Sequence, residues 1–115
     1  MHEMGIVQQM AKTVIAYAEE NNVKKIEAIV LQIGELSLVV PEYVNQLYPI
    51  VVKGTILEDT ELEIEFIKGM AECDDCDEIF NVVENKGYCP NCGSFNKSIL
   101  VGKDFFIKEI HVPEE

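Results

Sequence analysis

The chain has 115 residues, 48% of them hydrophobic and 26% charged, which is typical of a globular protein and too apolar for a disordered one. Nine lysines stand against 21 acidic residues, for a net charge of −12. This charge opposes contact with phosphate backbones and acidic lipid surfaces, so we expect neither nucleic acid nor membrane as a partner. No apolar stretch is long enough to span a bilayer, and no basic leader opens the sequence. We therefore expect a cytoplasmic protein, and in that reducing compartment cysteines are metal ligands more often than disulfides.

The first half of the chain predicts a helix, a strand, a second helix and a second strand. An apolar stripe with helical spacing comprises Ile6, Val7, Met10, Ala11, Val14, Tyr17 and Ala18. Asn21 and Asn22 are expected to end this helix. Residues 27–33 have apolar side chains at both odd and even positions, so both faces of a strand would be apolar. They are also rich in β-branched side chains, which predicts a central strand.

The second helix is predicted to run from Pro41 towards Lys53, with its buried face formed by Val44, Leu47, Tyr48 and Val51. Pro49 removes a backbone donor inside this segment, so a kink or an early end is expected there. Residues 61–68 then alternate acidic and apolar side chains, which predicts a half-buried strand with one solvated face.

Residues 69–102 differ in composition and contain all four cysteines, in two Cys-x-x-Cys pairs separated by twelve residues. Four thiolates delivered by two tight turns suit a tetrahedral zinc ion, which they enclose completely. The zinc ligands predicted are Cys73, Cys76, Cys89 and Cys92. Phe80, Val82 and Tyr88 are the expected packing residues of this zinc-ribbon module.

After Gly102 the strand pattern returns, with a change of parity at Lys108 and Glu109 that predicts a β-bulge. This strand is expected to pair with the earlier ones. The fold class predicted is therefore α+β: a small sheet of about three main strands with two helices, and a zinc-ribbon module inserted between two strands.

Three other uses of the cysteines compete with zinc binding. Disulfides disagree with the expected compartment. A thioredoxin-like redox site is disfavoured because the sequence has two Cys-x-x-Cys pairs and no βαβ pattern around them. An iron–thiolate electron carrier would use the same ligands, and the colour of the protein would distinguish it. Nucleic-acid binding, common among zinc ribbons, is disfavoured by the acidic residues around Cys73 and Cys76.

The second candidate site is the N-terminal sequence Met1-His2-Glu3. The α-amine of Met1, the amide nitrogen of His2 and the imidazole of His2 can chelate one metal ion through fused rings, and the amide of Glu3 could be the fourth donor. Nitrogen donors in a plane favour Ni²⁺ or Cu²⁺. The only other histidine, His111, is expected to be dispensable for nickel.

Together these features resemble the HypA/HybF family of hydrogenase maturation proteins. The resemblance rests on Met1-His2-Glu3-Met4, on the segment from Ile29 to Ser37 that contains Ile-Gly-Glu-Leu, on Lys53-Gly54-Thr55, and on the cysteine pairs, all in the family's order. It implies a nickel site at Met1, His2 and Glu3 in an α+β domain of residues 1–68 and 103–115, with a structural zinc ribbon of residues 69–102 inserted. The family delivers nickel for nickel–iron hydrogenase, and some relatives serve urease.

The resemblance also implies two partners, the maturation GTPase HypB and the hydrogenase large subunit, and a homodimer is possible. The expected role is that of a nickel metallochaperone and not of an enzyme. The alternatives are a zinc-ribbon adaptor that binds proteins without carrying nickel, and an iron–thiolate redox protein. In this sequence Asp77 follows the first cysteine pair where glycine is common, which predicts a different turn there.

Overall fold

The computed structural model describes residues 3–113. Its helices and strands, in chain order, are α1 (Glu3–Glu20), β1 (Ala28–Gly34), a short 3-10 turn (Glu35–Ser37), α2 (Pro41–Val52), β2 (Glu61–Ile67), β3 (Met70–Cys73), β4 (Ile79–Asn81), β5 (Lys97–Val101) and β6 (Phe105–His111). These elements confirm the predicted α+β class.

The first sheet has the strand order β2-β1-β6, so β1 is central, as its two apolar faces predict. β1 runs parallel to β2 and antiparallel to β6. Val30 pairs with Glu109 and Leu31 with Ile107, which leaves Lys108 as the extra residue of a bulge. The predicted return of the last strand and its bulge are both confirmed.

Both helices pack on this sheet around one apolar core, and together they form what we call the helix–sheet unit. The buried members of the core are Val7, Met10, Ala11, Val14, Ala18, Ile26, Ile29, Leu31, Ile33, Val44, Tyr48, Val52 and Leu57. The stripe on α1 is turned slightly from the predicted one, because Tyr17 is 43% exposed while Ala18 is buried. α1 ends where predicted: Asn22 adopts φ 55°, and the N–H of Val23 donates to the carbonyl of Ala18 at 2.8 Å.

Of the kink or early end predicted at Pro49, the early end is wrong, because the helix continues to Val52. The missing N–H of Pro49 leaves the carbonyl of Asn45 without its helical donor. Both residues lie on the exposed face, where water can serve that carbonyl. The last turn is held instead by Val52, which is 1% exposed in the core.

Residues 69–102, which we call the ribbon, form the second sheet, with strand order β4-β3-β5 and antiparallel pairing throughout. Its small core comprises Ala71, Cys73, Phe80 and Cys89, with Cys76, Val82 and Ile99 partly buried beside them. The prediction that Tyr88 packs in this core is wrong: Tyr88 is 54% exposed, and its ring centroid lies 5.1 Å from that of Phe95.

Within residues 3–113, neither helix is long and apolar enough to cross a bilayer.

Candidate metal centre

The four cysteines meet at one end of the ribbon. The sulfurs of Cys73 and Cys92 lie 3.6 Å apart and those of Cys76 and Cys89 lie 3.5 Å apart. All four sulfurs lie within 4.8 Å of one another. Ligands at about 2.3 Å from zinc in a tetrahedron would be about 3.8 Å apart, so the geometry fits a four-thiolate ion. All four cysteines are free thiols.

The two Cys-x-x-Cys turns have the same backbone form. The N–H of Asp77 donates to the carbonyl of Cys73 at 2.9 Å, and the N–H of Gly93 donates to that of Cys89 at 2.8 Å. Asp77 and Gly93 are both left-handed, with φ 67° and 78°. The different first turn expected from Asp77 is therefore wrong, because aspartate tolerates this region better than most side chains do.

Hydrogen bonds to sulfur prepare the site for a cation. The backbone N–H groups of Asn91 and Cys92 approach the sulfur of Cys89 at 3.4 and 3.5 Å. The side-chain amide of Asn91 donates to the sulfur of Cys76 at 3.4 Å. This bond, together with a backbone hydrogen bond at Glu78, lowers the pKa of the Cys76 thiol to about 7. This thiol ionises more readily than that of Cys92, whose pKa is raised to about 12 by hydrogen bonds with Cys73 and Cys76, and the thiolate is the form that binds metal.

The acidic residues of the first turn hold the two halves of the ribbon together. Asp74 accepts a hydrogen bond from the hydroxyl of Ser98 at 2.8 Å. Asp75 accepts from the hydroxyl of Ser94, and also from the side-chain amide of Asn96 at 3.3 Å. These carboxylates therefore have structural partners beside the thiols.

The second candidate site is described only in part. Met1 and His2, two of the three predicted nickel-binding residues, lie outside the described residues. Glu3 is 4% exposed, and its carboxylate oxygen Oε2 lies 3.3 Å from the backbone nitrogen of Val40. The carboxylate is thus occupied within the fold, whereas the backbone amide belongs to the first turn of α1, where N–H groups have no intrahelical acceptor.

Sequence reasoning missed the contacts of Asn91 and Val40. Neither carries a local signal, since Val40 acts through its backbone and Asn91 is an ordinary turn residue.

His111 is the last residue of β6, and its Nε2 lies 2.7 Å from Oε1 of Glu109. That hydrogen bond, with added charge from Glu63 and Glu27, raises the pKa of His111.

Comparison with known proteins gives one consistent family. Residues 1–112 match the family model described as "HypA: Hydrogenase/urease nickel incorporation, metallochaperone". A hydrogenase maturation factor HypA of Francisella philomiragia is 38% identical over 96% of this chain and 97% of its own length. The one of Aquifex aeolicus is 37% identical over 97% of both chains.

Solved structures agree with the sequence relatives. The solution structure of the Ni metallochaperone HypA from Helicobacter pylori covers 100% of both chains, with a TM-score of 0.68 and 26% identity. A second solution structure, of HypA protein, has a TM-score of 0.72 and 26% identity over 100% of this chain. The chain belongs to the HypA family of hydrogenase and urease nickel-incorporation metallochaperones.

Proposed function

We propose that this chain binds Ni²⁺ at its N-terminus and passes it to a partner protein during hydrogenase maturation. The observation that carries the proposal is the full-length family match, which includes the sequence Met1-His2-Glu3. The chain acts as a carrier and not as a catalyst. Nickel is its cargo.

The proposed donors are four nitrogens: the α-amine of Met1, the amide and imidazole of His2, and the amide of Glu3. The start of α1 supports the fourth donor, because the amide of Glu3 is not used inside the helix. A deprotonated amide also adds negative charge at the positive end of the helix dipole. The buried carboxylate of Glu3 anchors this turn to Val40 and is not a ligand in this scheme.

Zinc is the metal proposed for Cys73, Cys76, Cys89 and Cys92. Four thiolates close a tetrahedral coordination sphere and leave no position for substrate, so this ion stabilises the ribbon. The free thiols suit a reducing cytoplasm, where we expect the protein to work.

Two domains are proposed, one of residues 1–68 and 103–115 and one of residues 69–102. Their separate hydrophobic clusters support this division. The proposed partners are the maturation GTPase HypB and the hydrogenase large subunit, with a homodimer as a further possibility. Nickel would leave by ligand exchange, in which donors of the partner protein replace those of Met1, His2 and Glu3.

The test is calorimetric titration of zinc-loaded protein with Ni²⁺, using protein whose N-terminus is Met1. His2→Ala and a one-residue extension before Met1 should each abolish the site, since the first removes the imidazole and the second displaces the amine. His111→Ala is the matched control and should bind one nickel normally. Affinity should also fall between about pH 8 and pH 6, because protons compete at an amine of pKa about 7.7–8.0 and an imidazole of about 6.5.

Unchanged affinity in both the His2→Ala and the extended protein would overturn the terminal chelate. The zinc-ribbon adaptor that binds proteins without carrying nickel would then be favoured. Zinc content, measured in every variant, separates loss of the nickel site from loss of the fold.

A further inference from the structure

The segment Gly34–Leu36, at the end of β1, contacts both connections between the helix–sheet unit and the ribbon. The N–H of Gly34 donates to the carbonyl of Asp104 at 2.8 Å, and the N–H of Leu36 donates to that of Gly102 at 2.7 Å. A Cβ on Gly34 would overlap the carbonyl of Gly102. The outgoing connection, from β5 to β6, is therefore packed directly on this segment.

Glu35 reaches the incoming connection. Its Oε1 accepts a hydrogen bond from the backbone N–H of Gly69 at 2.9 Å and a longer one from the side-chain amide of Asn81 at 3.4 Å. Gly69 precedes β3, and Asn81 ends β4. One carboxylate oxygen therefore binds two different points at the base of the ribbon.

The partners of Glu35 are themselves held in place. Asn81 is 8% exposed, and its Oδ1 accepts from the N–H of Glu84 at 2.7 Å, so its amide is fixed at both ends. Gly69 is buried, and a Cβ there would lie 2.5 Å from Cγ of Leu36. The Leu36 side chain thus covers the residue whose N–H Glu35 binds.

The neighbouring ion pair is a weaker restraint. Nζ of Lys68 and Oε2 of Glu84 are 3.9 Å apart, and their side chains are 69% and 66% exposed. Exposed pairs of this length contribute little, because water screens them and both side chains are mobile. The carboxylate of Glu35, only partly exposed and bound to a backbone N–H, is better placed to fix geometry.

We propose that Glu35 is a positioning residue that locks the ribbon in one orientation on the helix–sheet unit. The backbone hydrogen bonds of Gly34 and Leu36 fasten only the outgoing connection, about which the ribbon could still turn. Attachment to both Gly69 and Asn81 also restricts rotation. A partner that contacts both units then meets one surface and not an ensemble of surfaces. This inference does not depend on which atoms bind nickel.

The experiment measures residual dipolar couplings of backbone amides in the zinc-loaded full chain. In the unsubstituted protein, and in the exposed control Glu58→Ala, one alignment tensor should describe both units. In Glu35→Ala the couplings of residues 70–101 should shrink relative to those of the helix–sheet unit. The amide of Gly69 should also exchange with solvent about tenfold faster, since its acceptor is gone.

Two further variants complete the test. Glu35→Gln retains an acceptor oxygen at the same position and should restore the single tensor. Glu35→Asp withdraws the carboxylate by one methylene and should loosen the ribbon with zinc still bound, which decides the matter if Glu35→Ala fails to fold. A single shared tensor in folded, zinc-loaded Glu35→Ala or Glu35→Asp would overturn the proposal. Loosening in Glu35→Gln equal to that in Glu35→Ala would overturn it as well.

Discussion

The carboxylate of Glu3 accepts a hydrogen bond from the backbone N–H of Val40, with 3.3 Å between Oε2 and the nitrogen. Val40 occupies the N-cap position of α2, while Glu3 begins α1. In a capping box, a glutamate of the same helix binds the N-cap N–H. Here the glutamate comes from another helix, so the contact caps α2 and joins the starts of both helices.

Replacing Glu3 by alanine should destabilise the protein, because it leaves the partly buried N–H of Val40 without its acceptor. The expected loss is about 1–3 kcal/mol in the free energy of unfolding, measured with urea. Glu3→Gln keeps an acceptor oxygen and should lose much less. Both variants should still bind one nickel ion if the backbone amide is the donor. Loss of nickel by folded Glu3→Ala would show instead that the carboxylate is a ligand.

Removing one thiol should release the ribbon's metal. We expect Cys76→Ser or Cys89→Ser to lose zinc and to unfold residues 69–102, since the ribbon's few buried residues cannot replace the ion. The helix–sheet unit has its own core and should remain folded. Zinc analysis and amide NMR spectra check both statements, and spectra that keep dispersed ribbon signals without zinc would contradict them.

Substituting Asp77 by glycine should stabilise the ribbon slightly. Asp77 holds φ 67°, a conformation that glycine adopts without the clash between Cβ and backbone. The expected net gain is up to about 1 kcal/mol, because the roughly 1–2 kcal/mol relieved at a left-handed residue exceeds the roughly 0.5–1 kcal/mol of chain entropy that glycine loses on folding. It should be seen as slower loss of zinc to a chelator. Gly93→Ala, at the equivalent position of the second turn, is the matched control and should lose zinc faster. Faster zinc loss from Asp77→Gly would be the contrary result.

Tyr48 should contribute a buried hydrogen bond to the core. It is 6% exposed, and its hydroxyl donates to the carbonyl of Thr60 at 3.1 Å. Tyr48→Phe should cost about 1–3 kcal/mol, because the carbonyl of Thr60 is left unpaired. An unchanged midpoint of urea unfolding would argue against this contribution.

The same burial has a consequence at alkaline pH, since it raises the pKa of Tyr48 to about 12. Because an unfolded tyrosine ionises at about pH 10, the contribution of Tyr48 to the free energy of unfolding is complete below that pH and is lost as pH rises towards 12. Urea unfolding at alkaline pH should therefore show a smaller decline for Tyr48→Phe than for the unsubstituted protein.

His111 should titrate above the ordinary histidine value of about 6.5. The hydrogen bond that His111 donates to Glu109 is the largest cause, and the charges of Glu63 and Glu27 add to it. Lys25, Asp59 and Glu61 line the same surface depression. NMR titration should show the raised midpoint, and Glu109→Gln should lower it. Any stabilisation by this pair is complete below about pH 6.5 and is lost as pH rises through the folded pKa.

Much of the architecture followed from the sequence because its causes are local. The two apolar parities of residues 27–33 predicted the central strand, and the change of parity near Lys108 predicted the bulge. Asn22 ended α1 because asparagine accepts the left-handed conformation that such an end requires. The cysteine spacing predicted which four sulfurs meet, since two tight turns can converge on one ion.

Other features depended on contacts between distant residues. α2 passes Pro49 because Val52 packs in a core built by the rest of the chain. The carboxylate of Glu3 is hydrogen-bonded to Val40, 37 residues away in the sequence, and that of Glu35 to Gly69, 34 residues away. The sequence by itself determined the helices and strands of the helix–sheet unit, apart from the end of α2, and the chemistry of the cysteine pairs. Only the tertiary structure decided which carboxylates are held inside the fold, because a hydrogen bond to a distant backbone N–H depends on position and leaves no pattern in residue type.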